Sequence, residues 1–125
     1  MTKTSATERA IINRFFAAMQ TGALAEREMM ALFAEDAIYV EPFSGHVRTH
    51  RGKPAILAAM REGWAQPIPN LRIVVDEVRA DSDMLVARWT CYSTAMPGGQ
   101  GRGENIFKVR NGKIEHLETS ILPSA

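Results

Sequence analysis

The sequence predicts an α+β fold in which helices cover one face of a curved, mostly antiparallel sheet. Apolar side chains recur at helical spacing through most of the first half, and from Leu71 onward alternating or β-branched runs are separated by tight-turn residues. Helices followed by a meander of hairpins give this class rather than a parallel α/β sheet. With 125 residues, 46% of them hydrophobic and 23% charged, one domain over residues 1–125 is expected. A chain of that length can bury a core without a metal or disulfide staple.

The elements follow in order. Ser5-Ala6-Thr7-Glu8 fits a capping box, in which the serine hydroxyl and the glutamate carboxylate satisfy free amides of a first helical turn. Ile11, Phe15 and Met19, with Ile12 and Phe16 beside them, make one apolar stripe, and Gly22 stops the helix. Met29, Met30, Leu32 and Phe33 predict a shorter second helix ending near Glu35-Asp36. Ile38 to Glu41 reads as a strand, closed by Pro42 and the turn residues Ser44-Gly45. Gly52-Lys53-Pro54 opens a third helix with the proline near its first position, where a missing N–H costs nothing. Its apolar face is Ile56, Leu57, Met60 and Trp64, and Pro67 and Pro69 end it. Strands are expected at 71–79, 84–95, 103–110 and 113–121. They are joined at Asp81-Ser82-Asp83, at a longer tip from Pro97 to Gly101, and at Asn111-Gly112, the strongest hairpin signal in the chain.

Composition removes several classes of function. Fifteen Lys+Arg against fourteen Asp+Glu leave a net charge of +1, so no electrostatic footprint for nucleic acid or anionic lipid is present. No apolar run approaches the roughly 20 residues that span a bilayer, and the first residues lack the apolar core of a secretory signal. A cytoplasmic protein is expected, with no nucleic-acid partner and no membrane partner. Cys91 is the single cysteine, which excludes a disulfide framework and a multi-cysteine zinc site. His46 and His50 lie in a polar stretch with Arg48 and Arg51, which would repel a cation, so no metal is expected. The glycines from 98 to 103 are hairpin glycines rather than a phosphate cradle, and no cofactor is implied.

Several strings then resemble a known family. Ala34-Glu35-Asp36-Ala37-Ile38-Tyr39-Val40-Glu41-Pro42, Arg51-Gly52-Lys53-Pro54-Ala55-Ile56 and Phe107-Lys108-Val109-Arg110-Asn111-Gly112-Lys113-Ile114 resemble the NTF2-like superfamily, in its SnoaL-like and ketosteroid-isomerase-like branch. The resemblance covers nearly the whole chain. It implies a cystatin-like, cone-shaped barrel with three N-terminal helices packed on the curved sheet, a pocket between them, and a homodimer formed through the outer sheet face.

In the isomerase pattern Glu41 matches the general base that stands immediately before a proline. There it would shuttle a proton between carbons beside a carbonyl, and apolar walls would raise its pKa. The alternative places Ile38 and Val40 in the core and turns Tyr39, Glu41 and Phe43 toward solvent or a partner subunit. Asn105 matches the second key position, where an amide can donate to an enolate oxygen. Phe15 departs from the pattern, which has a tyrosine there. Loss of one such donor typically costs on the order of 10²–10³ in rate, and Tyr39 is the nearest replacement hydroxyl. The epoxide-hydrolase branch drops out, because Arg88-Trp89-Thr90 and Thr119 lack its two carboxylates. For the cyclase branch, Glu115 shares the inward phase of Leu117, Thr119 and Ile121, while His116 and Glu118 face outward.

The pocket is expected to be lined from the helices by Phe15, Met19, Met60 and Trp64. The sheet would add Tyr39, Phe43, Trp89, Phe107, Leu117, Thr119 and Ile121. Three functions stay open. One is a cofactor-independent isomerase or cyclase using Glu41 and Asn105, and another is a non-catalytic binder of a small hydrophobic organic ligand. The third is a dimerisation module whose pocket is filled by its own side chains.

Overall fold

Ser5 starts the first helix as its capping box requires. Its Oγ accepts the Glu8 N–H at 3.1 Å, and the Glu8 carboxylate accepts the Ser5 N–H at 3.1 Å. This computed structural model describes residues 5–123. Helix α1 (Ala6–Thr21) buries Ile11, Ile12, Phe15 and Phe16, and Gly22 ends it with φ +85°, a value glycine adopts without strain. A 3₁₀ turn (Gly22–Ala25) leads into α2 (Glu26–Ala31), only six residues long.

The expected second helix thus ends at Ala31 rather than near Glu35-Asp36. The Leu32 carbonyl accepts the Ile114 N–H at 2.7 Å, and Phe33 pairs with Ile114. These bonds draw the backbone into strand β1 (Phe33–Glu41). Then come β2 (Arg48–Arg51), α3 (Lys53–Trp64), β3 (Arg72–Asp81), β4 (Met84–Tyr92), β5 (Gln100–Arg110) and β6 (Lys113–Leu122). Of the three N-terminal helices expected, only α1 and α3 have substantial length.

The described strands form one six-stranded curved sheet in the order β2-β1-β6-β5-β4-β3. Neighbours are antiparallel except β1 and β6, which run parallel. At the β5–β6 turn Asn111 and Gly112 both have positive φ, +53° and +74°, the geometry that a two-residue hairpin favours. Strand β3 is an edge, and Gln20 of α1 reaches over so that its Oε1 accepts the Ile73 N–H at 2.7 Å. That bond occupies one free N–H of the open edge.

A bulge alters the phase of β6. Lys108 pairs with His116 but Val109 pairs with Ile114, leaving Glu115 as the extra residue. Ile114, Leu117 and Thr119 are therefore the buried positions, and the Glu115 carboxylate lies 3.4 Å from Arg110 Nε. The inward phase expected of Glu115 is corrected accordingly.

The core fills one end of the space between helices and sheet. Phe15 packs edge-on against Phe16 and Phe107, with ring centroids 5.2 and 5.4 Å apart, a favoured geometry for aromatic quadrupoles. Phe33, Ile56, Met60, Leu85, Ala87, Ile114 and Leu117 complete it. No helix among the described residues is long and apolar enough to cross a membrane.

Candidate functional site

At the other end of the same space, packing gives way to a cavity of about 280 Å³. Helix α1 supplies Phe15, Phe16 and Met19, the strands supply Ile73, Trp89, Cys91, Asn105 and Thr119, and Phe43, Ile68 and Ile121 stand at the rim. The rim side chains are markedly exposed, Phe43 and Ile121 at 54% each. Isolated exposed apolar residues are ordinary, but three around one opening mark an entrance. Ser93 steadies this end: its Oγ donates to the Pro69 carbonyl at 2.6 Å and accepts the Ala95 N–H at 3.1 Å.

Trp89 dominates one wall. It sits directly opposite Gly103 in the β4–β5 ladder, and its indole lies flat on that glycine. A methyl group added at residue 103 would stand 2.0 Å from Trp89 Cζ2, so any other residue there must displace the indole. From this position Nε1 donates to Asn105 Oδ1 at 3.0 Å. Gly103→Ala is expected to displace the indole, cost about 1–3 kcal/mol of stability and shift tryptophan emission. Urea unfolding followed by fluorescence measures both.

Glu41 is buried, at 2% exposure, on the inner face of β1, which overturns the solvent-facing alternative for Tyr39 and Glu41. Its carboxylate is nonetheless fully engaged. Oε1 accepts the Phe43 N–H at 2.7 Å. Oε2 accepts from Arg48 Nε and Nη2, both at 2.9 Å, and from His50 Nε2 at 2.8 Å. Arg48 also meets Glu62 of α3 at 3.4 Å. Burial pushes the Glu41 carboxyl up, but the His50 bond, the Phe43 N–H and the Arg48 charge outweigh it, leaving the group below the usual carboxylate range. The sequence-based expectation of a raised pKa is corrected: the walls around this carboxylate are donors, not hydrocarbon.

Residues 12–117 match the model of the SnoaL-like domain. The chain belongs to the SnoaL-like family. Solved structures agree on the NTF2-like, cystatin-like architecture. A candidate ketosteroid isomerase from Kribbella flavida is 16% identical with a TM-score of 0.74, over 98% of this chain and 83% of that one. A candidate polyketide cyclase from Sinorhizobium meliloti is 22% identical with a TM-score of 0.71, over 89% and 94%. A cystatin-like protein of unknown function from Methylobium petroleophilum is 18% identical with a TM-score of 0.71, over 99% and 82%. No curated protein matches. Similarity at these levels establishes the fold, and the chemistry has to be argued from the site.

Within this SnoaL-like domain, Phe15, Met19, Phe43, Trp89, Thr119 and Ile121, and with them Asn105, come together around the cavity. Glu41, Tyr39, Met60, Trp64, Phe107 and Leu117 do not line it. Met60, Phe107 and Leu117 belong to the solid core, where facing apolar side chains close the space. Trp64 lies against Gly22, its Cδ1 3.8 Å from where a methyl group there would stand. Tyr39 sits behind Thr119, with which it shares a side-chain hydrogen bond. Burial, then the nearby Glu41 charge, push its phenol well above the ordinary tyrosine value.

Sequence reasoning missed Phe16, Ile68, Leu71, Ile73, Cys91 and Met96 as lining residues. Cys91 was the most accessible of these, since it shares strand parity with Trp89. It also missed Arg48 and His50 as partners of Glu41. Arg48 and His50 alternate at period two, as a strand opposite Tyr39 and Glu41 must.

A second, larger depression of about 460 Å³ lies by Glu35, Lys53, Arg110, Lys113 and Glu115. Lys53 faces Glu35 at 3.6 Å, Arg110 faces Glu115 at 3.4 Å, and Lys113 donates to the Ala31 carbonyl at 2.7 Å. It is an ion-paired surface groove. Among the described residues no group of three His, Cys, Asp or Glu is placed to hold a metal ion.

Proposed function

We propose that this SnoaL-like domain holds one small hydrophobic organic molecule in the cavity beside Trp89. The observation that carries this is an open volume of about 280 Å³ with an almost wholly apolar wall in an otherwise packed interior. That open volume weighs against a pocket filled by its own side chains. A cavity of about 150 Å³ lined by aliphatic and aromatic groups admits benzene, so this one suits roughly ten non-hydrogen atoms. A larger ligand would project through the rim at Phe43, Ile68 and Ile121. In this reading α1 and the curved sheet close around the ligand as a cone-shaped barrel. The test is thermal unfolding with the cyclic ketone menthone and the hydrocarbon p-menthane. A saturable rise in Tm with one-to-one stoichiometry is expected, and no saturable response to either overturns the proposal.

A second reading, acid/base catalysis beside a carbonyl, is favoured by one observation. The Glu41 side chain points inward on a strand whose neighbour carries Thr119 in the cavity wall, Val40 pairing with Glu118. Glu41, which does not line the cavity in this structure, would leave Arg48 and His50 and turn past Thr119 to accept the proton, with Asn105 donating to the enolate oxygen and no cofactor entering this chemistry. Deuterium exchange into menthone, followed by NMR, tests it. Glu41→Gln is expected to abolish exchange while menthone affinity stays within about threefold. Unchanged exchange removes Glu41 as the base.

A homodimer through the outer sheet face accompanies either reading. Val86 and Ile106 are register partners there, and Ile38 and Val40 lie two strands away on the same side. Light scattering is expected to give twice the chain mass. The free, buried Cys91 suits a reducing, cytoplasmic compartment.

A further inference from the structure

The geometry points to Trp89 as a stacking platform: seated on Gly103, its indole turns one face to the cavity and selects a flat, unsaturated ring over a saturated ring of the same skeleton. Monocyclic and fused bicyclic aromatic compounds meet that description. The inference rests on the cavity being a ligand site and specifies the shape and electronic character of what fills it.

The platform starts at Gly103. Trp89 and Gly103 are register partners in the β4–β5 ladder, and Asn105 and Phe107, which share the parity of Gly103, are buried on the inner face of the sheet. A side chain at residue 103 would therefore point into the interior, and its first carbon would meet Trp89 Cζ2, Cη2 and Cε2 at 2.0–2.5 Å. The benzene half of the indole thus lies directly over the glycine. One face of the ring rests on the strand, and the other looks away from it, toward α1 and the cavity. Rotation within the ring plane is checked by Nε1, which donates to Asn105 Oδ1 at 3.0 Å.

No ring of the protein stacks on the far face. The aromatic pairs among the described residues join Phe15, Phe16, Phe33 and Phe107 to one another and Tyr39 to His50, and none includes Trp89. Trp89 is nevertheless only 8% exposed, so its free face borders the hollow rather than the outer surface. An offset-stacked aromatic ring gains attraction beyond the apolar area it buries, because its positive edge lies over the negative face of the indole. A puckered, saturated ring gains the area alone. The rest of the wall favours the same guest. Met19, Met96 and Cys91 bring sulfur to the cavity, with Cys91 Sγ 3.6 Å from Met96 Sδ, and sulfur makes favourable contacts at the edge of aromatic rings. Trp89 touches the ligand in this arrangement, and Gly103 is the positioning residue behind it.

The test uses the full-length protein with thymol and menthol, which share one skeleton and one hydroxyl and differ in having a flat or a puckered ring, with Kd measured by calorimetry. Wild type is expected to bind thymol about 2–10-fold more tightly than menthol, the worth of one stacked ring pair. The ring protons of bound thymol should move upfield in NMR spectra under the indole ring current. Trp89→Leu keeps the wall apolar but removes the face. It should erase both the preference and the upfield shift, while menthol, held by apolar area, stays within about threefold. Trp89→Phe restores a face and should recover part of the preference, which a merely structural role would not do. Gly103→Ala should lower the preference with the tryptophan still present. Equal binding of the two ligands by wild type, no upfield shift, or a preference that survives Trp89→Leu overturns the inference while leaving the cavity as a ligand site. Failure of both ligands to bind removes the site itself.

Discussion

Phe15→Ala is expected to lower stability by about 4 kcal/mol, the range for truncating a fully buried phenylalanine. Phe15 is 1% exposed and meets Phe16, Phe33 and Phe107 edge to face. For a domain of this size the loss corresponds to a Tm lower by roughly 15 °C. The residue also forms one wall of the 280 Å³ cavity, so its removal enlarges the hollow rather than leaving a sealed void. A bulkier apolar ligand should then recover more stability in Phe15→Ala than in wild type, by occupying the vacated space. Thermal unfolding with and without ligand measures both effects. A loss below about 1 kcal/mol would show that the neighbouring rings collapse into the gap.

Glu41→Ala is expected to cost about 2–3 kcal/mol, because it strips a buried carboxylate from the Phe43 N–H, Arg48 and His50. The carboxyl sits below its ordinary value of 4.5 when folded. Its contribution is therefore fully present above the unfolded value and fades as pH falls through the folded one. Between neutral pH and about pH 3, wild type should lose more stability than Glu41→Ala, and the two curves should converge in acid. Urea midpoints across that range check the sign, and parallel curves would show that the cluster carries no proton linkage. The same substitution loosens the turn that carries Phe43 to the cavity rim, so ligand dissociation should quicken.

Local signals were read well, and signals that depend on register were not. The Ser5 cap and the Asn111-Gly112 turn are determined within a few residues, and both lie where the sequence put them. Leu32 and Phe33 continue the apolar spacing of the second helix and so overextend it in the sequence, and nothing nearby announces that Ile114 claims the Leu32 carbonyl. The polar composition of Arg48–Arg51 leaves loop and strand edge equally open, so its pairing with β1 is not legible in the sequence. With it went the donors that hold Glu41 ionised. Glu115 was assigned the wrong face because one bulge reverses side-chain parity along β6. Alternation alone puts Trp89 on one face of its strand with Ala87 and Cys91. Its seat on Gly103 becomes visible only once β4 and β5 are aligned.

The parallel pairing of β1 with β6 sets a schedule for synthesis. Phe33 waits for Ile114, about 80 residues later, and a ribosome adding roughly 5–20 residues per second takes several seconds to deliver it. Until then the inward row of Phe33, Ala37 and Tyr39 has no parallel neighbour to shelter it. Folding of this sheet on the nascent chain should therefore wait until β6 (Lys113–Leu122) has left the ribosome. Polypeptides halted before residue 113 should remain protease-sensitive and bind chaperones that recognise exposed apolar segments.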